Sequence, residues 1–337
     1  MFFNIVRDNI DQLDKGWHVL DDFLYKGYCT GSSLKDLIES RNFKQKEGNY
    51  CIINRKQPAI YHDDFRSFPL FTDNDRCSNS YFSGSKKIHF PTTVDFKNTW
   101  CENYIGYEDL EHDSITFGFN GLADYICERL VYLVEQTQFE FPLLAADTHG
   151  VDSTLVRSVF DYVGKEYKLV RREKMGDDDH WGYRQLYLSA DPHIQITGYC
   201  GDEVLIRNPM YCQWLLSPHN VDLIDEYNKI EKSYMLGFFM KNYKKKLTED
   251  QHKFDNIHSA FNHVRDWVMN DFQMWHKDDT ITFTPLRDRK ILKACLQAEP
   301  DAIIRQCVHA ELSTEIIRRL NPKNLDTISQ HKNAVKP

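Results

Sequence analysis

Pro142-Leu-Leu-Ala-Ala-Asp-Thr-His-Gly-Val-Asp-Ser-Thr-Leu-Val156 is the stretch that decides the fold of this 337-residue chain. An apolar run of strand length leads into a turn at 148–153, and apolar residues then recur at helical spacing over 154–163. A strand, a tight turn and a helix make an anion site, because unpaired backbone N–H groups and the helix dipole both point at the turn. Asp152 adds a carboxylate able to hold a divalent cation beside a bound phosphate. This stretch therefore predicts a site for a nucleotide and a metal ion.

The composition is that of a folded globular protein, 41% hydrophobic and 13% aromatic, with a net charge of -8. The negative charge gives no global attraction to nucleic acid or acidic membranes. No apolar stretch reaches the ~20 residues that span a bilayer, and the first residues are charged too soon for a signal peptide. The nine scattered cysteines form no Cys-x-x-Cys pair and are interpreted as reduced core thiols. We therefore expect a cytoplasmic protein of two domains, with no membrane contact, no nucleic-acid partner and a homodimer left open.

The chain changes character near residue 110. Before it, the residues are strand-rich, with a strand expected at 49–55 and a hairpin partner at 59–62. Residues 72–97 are rich in Asp, Asn, Ser, Gly and Pro and indicate long loops.

After residue 110 the pattern alternates between helix and strand. An amphipathic helix is predicted over 120–137, and further strands at 168–172 and 194–197. A strand, a helix and a strand in succession favour a parallel sheet. From about residue 210 the chain is mainly helical, with candidate helices at 221–242, 251–276 and 287–320.

A second cluster of polar residues follows the strand predicted at 194–197. It reads Gly198-Tyr-Cys-Gly-Asp-Glu203, and its glycines allow unusual backbone angles around Tyr199. Asp202 and Glu203 come where the carboxyl end of a strand meets a ligand in an open α/β sheet, and Mg²⁺ prefers such oxygen ligands. The simpler interpretation is an acidic helix start that the helix dipole stabilises.

These segments together resemble one protein family. Thr148-His-Gly-Val-Asp-Ser153 resembles the PP-loop, Ser-Gly-Gly-x-Asp-Ser, of enzymes that cleave ATP between its α and β phosphates, with Thr148 for Ser and His149 for the first Gly. The turn at 198–203 resembles the Gly-x-Gly-x-Asp-Glu turn of asparagine synthetases, with Cys200 in place of the second Gly. Segments 46–55, 60–71 and 282–292 resemble that family's N-terminal domain end and its Pro-Phe-Leu-Asp helix start. The resemblance is collinear over most of the chain.

The resemblance implies an α/β fold of two domains. Residues 111–337 are then a parallel-sheet PP-loop synthetase domain, of the adenine nucleotide α-hydrolase-like type, with a helical C-terminal part. Residues 1–110 are then a small, strand-rich, Ntn-like domain. Asparagine synthetases carry a Cys nucleophile after the initiator Met, where this chain has Phe2, and a phenyl ring cannot form a thioester. The N-terminal domain is therefore expected to be a degenerate glutaminase-like remnant.

The resemblance also implies cofactors and roles. ATP is expected at Thr148, His149, Gly150, Val151, Asp152 and Ser153, and Mg²⁺ at Asp152 and Asp202. Tyr199 matches the β-lactam synthetases, in which a Tyr and a later Glu deprotonate the attacking amine; Glu231 and Glu226 are both candidates here. A tyrosine with a pKa near ~10 needs such a partner to act as a base. Lys323 is the best match for a lysine that contacts the reacting phosphate.

The function that follows is an ATP-dependent, AMP-forming amide ligase. It would adenylate a small-molecule carboxylate and transfer the acyl group to ammonia or an amine, without glutaminase activity of its own. Two other functions stay open, a PP-loop enzyme that modifies a nucleobase or tRNA and a non-catalytic binding relative. Tyr199 is alternatively a packed aromatic, and Lys323 a solvated lysine at a helix end.

Overall fold

The structure, a computed structural model, describes residues 17–43, 47–54, 56, 59–62, 71–72, 77–78, 86–87, 94–95, 116–147, 150–171, 193–228 and 280–328. Within these ranges the chain is a mixed α/β protein with a parallel four-stranded sheet, helices and two antiparallel sheets. No helix in these ranges has the length and apolar character that crossing a membrane requires.

The N-terminal part forms an antiparallel sheet. Its strands lie in the order β1-β2-β3-β4-β8 and are β1 (His18–Leu20), β2 (Phe23–Cys29), β3 (Gly48–Asn54), β4 (Ala59–His62) and β8 (Val94–Asp95). Helix α1 (Leu34–Glu39) lies between β2 and β3 and begins with a capping box, in which Ser33 and Asp36 bond each other's backbone N–H groups. The strand predicted at 49–55 and its hairpin partner at 59–62 are both confirmed.

The long loops predicted over 72–97 include short strands. Three two-residue strands, β5 (Phe71–Thr72), β6 (Cys77–Ser78) and β7 (Lys86–Lys87), pair into a small antiparallel sheet, and β8 joins the larger one. Turn-forming residues separate short strands as readily as they form long loops, so composition alone does not distinguish the two.

The parallel sheet has the order β10-β9-β11-β12 and comprises β9 (Leu143–Asp147), β10 (Lys168–Arg171), β11 (His193–Ile196) and β12 (Thr280–Phe283). Helix α3 (Val151–Val163) connects β9 to β10, which confirms the predicted β-α-β unit. The strand order runs one way from β9 to β10 and the other way from β9 to β11. In open α/β sheets, a reversal of this kind opens a crevice outside the carboxyl ends of the two strands, where ligands bind.

Helix α2 (Phe119–Gln136) confirms the helix predicted at 120–137. Its buried face is the apolar stripe that the sequence shows, with Leu122, Ile126 and Leu130 fully enclosed. This stripe packs into the main core with the apolar face of α3, which includes Leu155 and Val159. The two helices therefore fix the position of the turn that precedes α3.

The C-terminal helical region is divided more finely than predicted. Residues 287–320 form three helices, α7 (Arg289–Leu296), α8 (Pro300–His309) and α9 (Glu311–Leu320). Pro300 begins α8 because proline lacks the N–H that a continuing helix needs, and Ala310 separates α8 from α9 with a left-handed φ of 54°. The preceding helices are α4 (Gly201–Val204), α5 (Pro209–Leu216) and α6 (Leu223–Asn228). The helix predicted at 221–242 is described only as far as 228, and the one at 251–276 lies outside the described residues.

The antiparallel sheet packs against the α/β part through polar and aromatic contacts. Asn49 on β3 donates to the carbonyl of Thr282 on β12 at 2.7 Å, although 233 residues separate them. The ring of Tyr28 packs on Phe283, with ring centroids 5.2 Å apart. Tyr28 belongs to the main hydrophobic core, so described residues on both sides of position 110 share one core. Residues 101–115, where the domain boundary was predicted, lie outside the described residues.

Candidate functional site

The two polar motifs of the sequence meet at the carboxyl ends of β9 and β11. These strands pair in parallel, with Ile196 opposite Ala145, so the turns that follow them lie side by side. Asp152 is the second residue of α3, which follows β9, and Asp202 is the second residue of α4, which follows β11. Both carboxylates therefore stand at the reversal point of the strand order.

Gly198 and Gly201, in the turn after β11, lie against the start of α3, where there is no room for a side chain. A Cβ on Gly198 would lie 2.2 Å from the backbone carbon of Asp152 and 2.4 Å from the nitrogen of Ser153. A Cβ on Gly201 would lie 2.3 Å from Cγ of Asp152. No side chain fits at either distance, so the two turns approach each other as closely as bare backbone allows.

Cys200 has a left-handed backbone, with φ of 64°, and caps the start of α4. Glycine is the ordinary residue for this conformation, since any Cβ strains it. The backbone N–H of Tyr199 donates to Thr197 Oγ1 at 3.1 Å, which tightens the same turn. The turn thus keeps a glycine-type backbone at a position where the sequence has cysteine.

Arg207 links the two aspartates. Its Nη2 donates to Asp152 Oδ2 at 2.5 Å and also to Asp202 Oδ1. The guanidinium side chain is 11% exposed, whereas the Asp202 side chain is 59% exposed. Arg207 was not predicted from the sequence, because an arginine five residues after an acidic pair has no recognisable spacing. Only the pairing of β9 with β11 brings both acids within its reach.

The carboxyl groups of this site have shifted pKa values. The pKa of Asp152 is raised to about 7, mainly by burial; the guanidinium of Arg207 lowers this pKa and the charge of Asp202 raises it. Burial also raises the pKa of Glu203 to about 7, with the neighbouring charge of Asp202 adding to the effect. Burial penalises the ionised form of each carboxyl, and shifts of this kind are frequent at binding and catalytic centres.

The donor groups suit a magnesium ion. Asp152 Oδ1 is buried and accepts no hydrogen bond from any described residue, while Oδ2 already faces a positive charge that Asp202 shares. Mg²⁺ is commonly held by one or two carboxylates together with substrate phosphates and water. No group of three or more His, Cys, Asp or Glu side chains forms a metal cluster among the described residues, so further ligands would come from the nucleotide and solvent.

The N-terminus of α3 suits a phosphate. Gly150 is the N-cap of the helix, has an extended backbone and carries no side chain, so no side chain of the N-cap residue bonds the first N–H groups. Val151 is buried in the core and Ser153 is half-buried within the first turn. Thr148 and His149, the two positions that depart from the PP-loop pattern, lie outside the described residues.

The remaining predicted site residues are distributed unevenly. Tyr199 is half-buried and packs against the main core beside the turn. Glu226 is half-buried on α6, and Glu231 lies outside the described residues.

Lys323 lies exposed in a 3₁₀ turn, Pro322–Thr327. The next residue, Asn324, donates to Ser158 Oγ at 3.0 Å and Asp161 Oδ2 at 2.7 Å. Asp161 is nine residues beyond Asp152 on α3, or about 13 Å along a helix that rises 1.5 Å per residue. The turn that carries Lys323 is therefore anchored to the C-terminal half of α3.

Comparison with known proteins assigns no family. No protein-family model matches the chain, and no curated protein matches it. The chemistry of the site therefore has to be inferred from its own geometry.

Proposed function

We propose that this protein is an ATP-dependent, AMP-forming amide ligase resembling asparagine synthetase and β-lactam synthetase. The observation that supports the proposal is the convergence of Asp152 and Asp202 on one cationic group, Arg207. The two acids come from motifs fifty residues apart and meet where the order of the parallel strands reverses, the usual ligand position in such sheets.

The proposal includes a domain layout. Residues 111–337 form the PP-loop synthetase domain, and residues 1–110 form a degenerate glutaminase-like domain of the Ntn type. The parallel sheet β10-β9-β11-β12 and the antiparallel sheet that precedes it support this layout. The proposed nitrogen donor is free ammonia or an amine on the substrate.

The reaction has two steps. A substrate carboxylate oxygen attacks the α-phosphorus of ATP, the bond to the bridging oxygen breaks, and pyrophosphate leaves with that bond's electron pair. An amine nitrogen then attacks the acyl carbon of the adenylate, AMP leaves, and the amine loses a proton. The backbone N–H groups at the start of α3 hold the negative charge of the phosphates. Mg²⁺ held by Asp152 and Asp202 would neutralise phosphate charge.

Tyr199 is the proposed acceptor of the amine proton. It follows β11 on the same edge of the sheet as Asp152 and Asp202, which suits a base for the second step. A phenol needs a carboxylate partner for this role near neutral pH, and Glu226 and Glu231 remain the candidates. Lys323 is the proposed lysine beside the reacting phosphate, and its neighbour Asn324 is bonded to Ser158 and Asp161 of α3.

A nucleotide-binding protein without catalysis is the second candidate function. The observation that favours it is Arg207 itself, because a guanidinium already supplies positive charge where a magnesium ion would act. A PP-loop enzyme acting on a nucleobase or tRNA gains no specific support from the described residues.

Calorimetry with Mg-ATP on the full chain, followed by pyrophosphate release with a panel of carboxylic acids, tests the proposal. Asp152→Asn and Asp202→Asn should abolish pyrophosphate release. Asp301→Asn is the matched control, because Asp301 is likewise the second residue of its helix, α8, but stands outside the site. Absence of Mg-ATP binding contradicts the proposal. Nucleotide binding without pyrophosphate release from any acid favours the non-catalytic function.

A further inference from the structure

Arg207 holds together two carboxylates that would otherwise face each other without compensation. A single nitrogen, Nη2, serves both Asp152 Oδ2 and Asp202 Oδ1. Two carboxylates that contact the same nitrogen atom are close enough to repel each other. The repulsion is strong in a site with limited access to water. In the metal-free protein, therefore, the guanidinium is the counter-ion of the pair.

The backbone around Arg207 is constrained on both sides. Ile206 has a left-handed φ of 50°, a conformation that is strained for a residue other than glycine. The N–H of Arg207 donates to the carbonyl of Asp202 at 2.9 Å, so the loop folds back on the acidic turn. A strained residue persists only where its surroundings determine it, and such strain concentrates at functional positions.

Two buried thiols support this loop from neighbouring helices. Cys212 Sγ on α5 donates to the carbonyl of Ile206 at 3.0 Å. Cys307 Sγ on α8 lies 3.9 Å from the carbonyl of Arg207 and donates to it. The strained residue, the backbone hydrogen bond and the thiol contacts all fix the backbone from which the Arg207 side chain starts. The guanidinium donates to both carboxylates through Nη2.

A divalent cation that bridges Asp152 Oδ2 and Asp202 Oδ1 would take the position that Nη2 of Arg207 now holds. Mg²⁺ binds carboxylate oxygens at about 2.0–2.1 Å, whereas Nη2 already lies 2.5 Å from Asp152 Oδ2. We propose that Arg207 is the resident counter-ion of the Asp152–Asp202 pair, and that a divalent cation binds by displacing it. This inference rests on the proposed metal site and is independent of the ligase chemistry.

Displacement gives Arg207 a second role. Once released, the guanidinium is a mobile, planar cation at the edge of the site, and arginine pairs with phosphate through two parallel hydrogen bonds. A metal ion that arrives alone leaves this charge uncompensated, whereas one that arrives with a phosphate group supplies its new partner. Arg207 thereby makes the pair a weak site for free metal and a stronger one for a metal–phosphate complex.

The test uses Mn²⁺ alone with the full chain. Arg207→Ala should lower the melting temperature in chelator-treated buffer, because the two acids lose their counter-ion, and added Mn²⁺ should restore it. Titration followed by electron paramagnetic resonance should show Mn²⁺ affinity about tenfold higher than in the wild type, the lower end of effects seen when residues around metal ligands change. Arg207→Gln is the second variant, should removal of the whole side chain prevent folding.

Two controls separate displacement from general destabilisation. Arg319 also bridges two acids, Asp124 and Glu315, so Arg319→Ala should lose stability without rescue by Mn²⁺. The double variant Asp202→Asn with Arg207→Ala should lose the rescue, because one ligand is gone.

The inference is overturned if the Arg207 variants bind Mn²⁺ no better than the wild type, if none of these proteins binds it, or if Mn²⁺ fails to restore stability. A chain that releases no pyrophosphate, yet gains Mn²⁺ affinity on loss of Arg207, contradicts the ligase function and supports this inference.

Discussion

The carboxylate of Asp152 lies directly against the Cα atom of Gly201, so that a Cβ there would stand 2.3 Å from Cγ of Asp152. The contact joins the start of α3 to the turn after β11, and the Asp152 side chain packs directly against the backbone of that turn. Gly198 makes the equivalent contact with the backbone of Asp152 itself. The two glycines are therefore part of how the site is assembled.

Gly198→Ala should destabilise the protein by about 1–3 kcal/mol, the usual range for overpacking. The added methyl would meet backbone atoms of α3, which cannot rotate away as a side chain does. Gly121→Ala is the matched control, since Gly121 lies exposed in α2 with open space around its Cα. The free energy of unfolding of this control should rise by about 0.5–1 kcal/mol, because alanine is the better helix former. Urea denaturation measures both, and equal effects would contradict the close approach at Gly198.

Arg129→Met should destabilise the protein by about 3–5 kcal/mol, the cost of leaving a buried charge without its partner. Arg129 donates to Asp288 through two nitrogens, at 3.1 and 2.7 Å, and also to Glu47. The Asp288 side chain is only 4% exposed, so water cannot replace the arginine.

Lys35→Met is the control for loss of a surface charge. Lys35 and Glu39 form an exposed pair on α1 with 3.8 Å between the charged atoms. Exposed pairs contribute about 0–1 kcal/mol, so guanidinium chloride denaturation should separate the two variants clearly. A small effect of Arg129→Met would show that the antiparallel sheet is joined to α2 without help from this cluster.

Stability should fall on acidification, in part through Glu47. Burial alone would raise the pKa of Glu47, but hydrogen bonds and charge from Arg129 and Lys290 outweigh burial and hold the pKa below its ordinary 4.5. The stabilisation is thus complete above about pH 4.5, the value for the unfolded chain, and is lost as pH falls through the lower pKa of the folded protein. Glu47→Gln should flatten this part of the pH profile of unfolding free energy. If the free energy of unfolding of the wild type and of Glu47→Gln fell in parallel with pH, groups other than Glu47 would be responsible for the acid sensitivity.

Cys200→Val should be more destabilising than Cys200→Gly, by about 1–2 kcal/mol. A β-branched residue fits the left-handed backbone at position 200 poorly. Glycine relieves the backbone strain there, although it removes the buried Cys200 side chain from the core. Cys295→Val is the comparison, because Cys295 is also buried but lies in the right-handed helix α7. Thermal unfolding should show the valine penalty at position 200 and little of it at 295.

Much of the fold could be predicted because it rests on local pattern. The apolar stripe of α2 and the alternation of strand, helix and strand around α3 are visible in neighbouring residues, and the structure places both within a residue or two. The split at Pro300 was not predicted, although proline begins a helix more readily than it continues one. The split at Ala310 was not predictable, because nothing in alanine's side chain favours a left-handed φ.

The candidate site was predictable only where a motif carried it. Asp152 and Asp202 were identified by their positions in turns after strands, and the structure brings them to one point. Arg207 was missed because its reach depends on the tertiary contact between two strands and on the strained residue before it. Lys323 was chosen by its position along the chain and stays a prediction, while the anchoring of its turn to α3 through Asn324 could not be predicted from local pattern.

The hydrogen bond between Asn49 and Thr282 has a consequence for synthesis on the ribosome. The two residues are separated by 233 positions, which translation at about 5–20 residues per second crosses in roughly ten to fifty seconds. During that time β3 has emerged while its neighbour β12 does not yet exist, and Tyr28 lacks the ring of Phe283. The early sheet exposes unpaired polar groups and an aromatic surface for the whole interval. The nascent N-terminal strands are therefore the part of this chain that a ribosome-bound chaperone is best placed to protect.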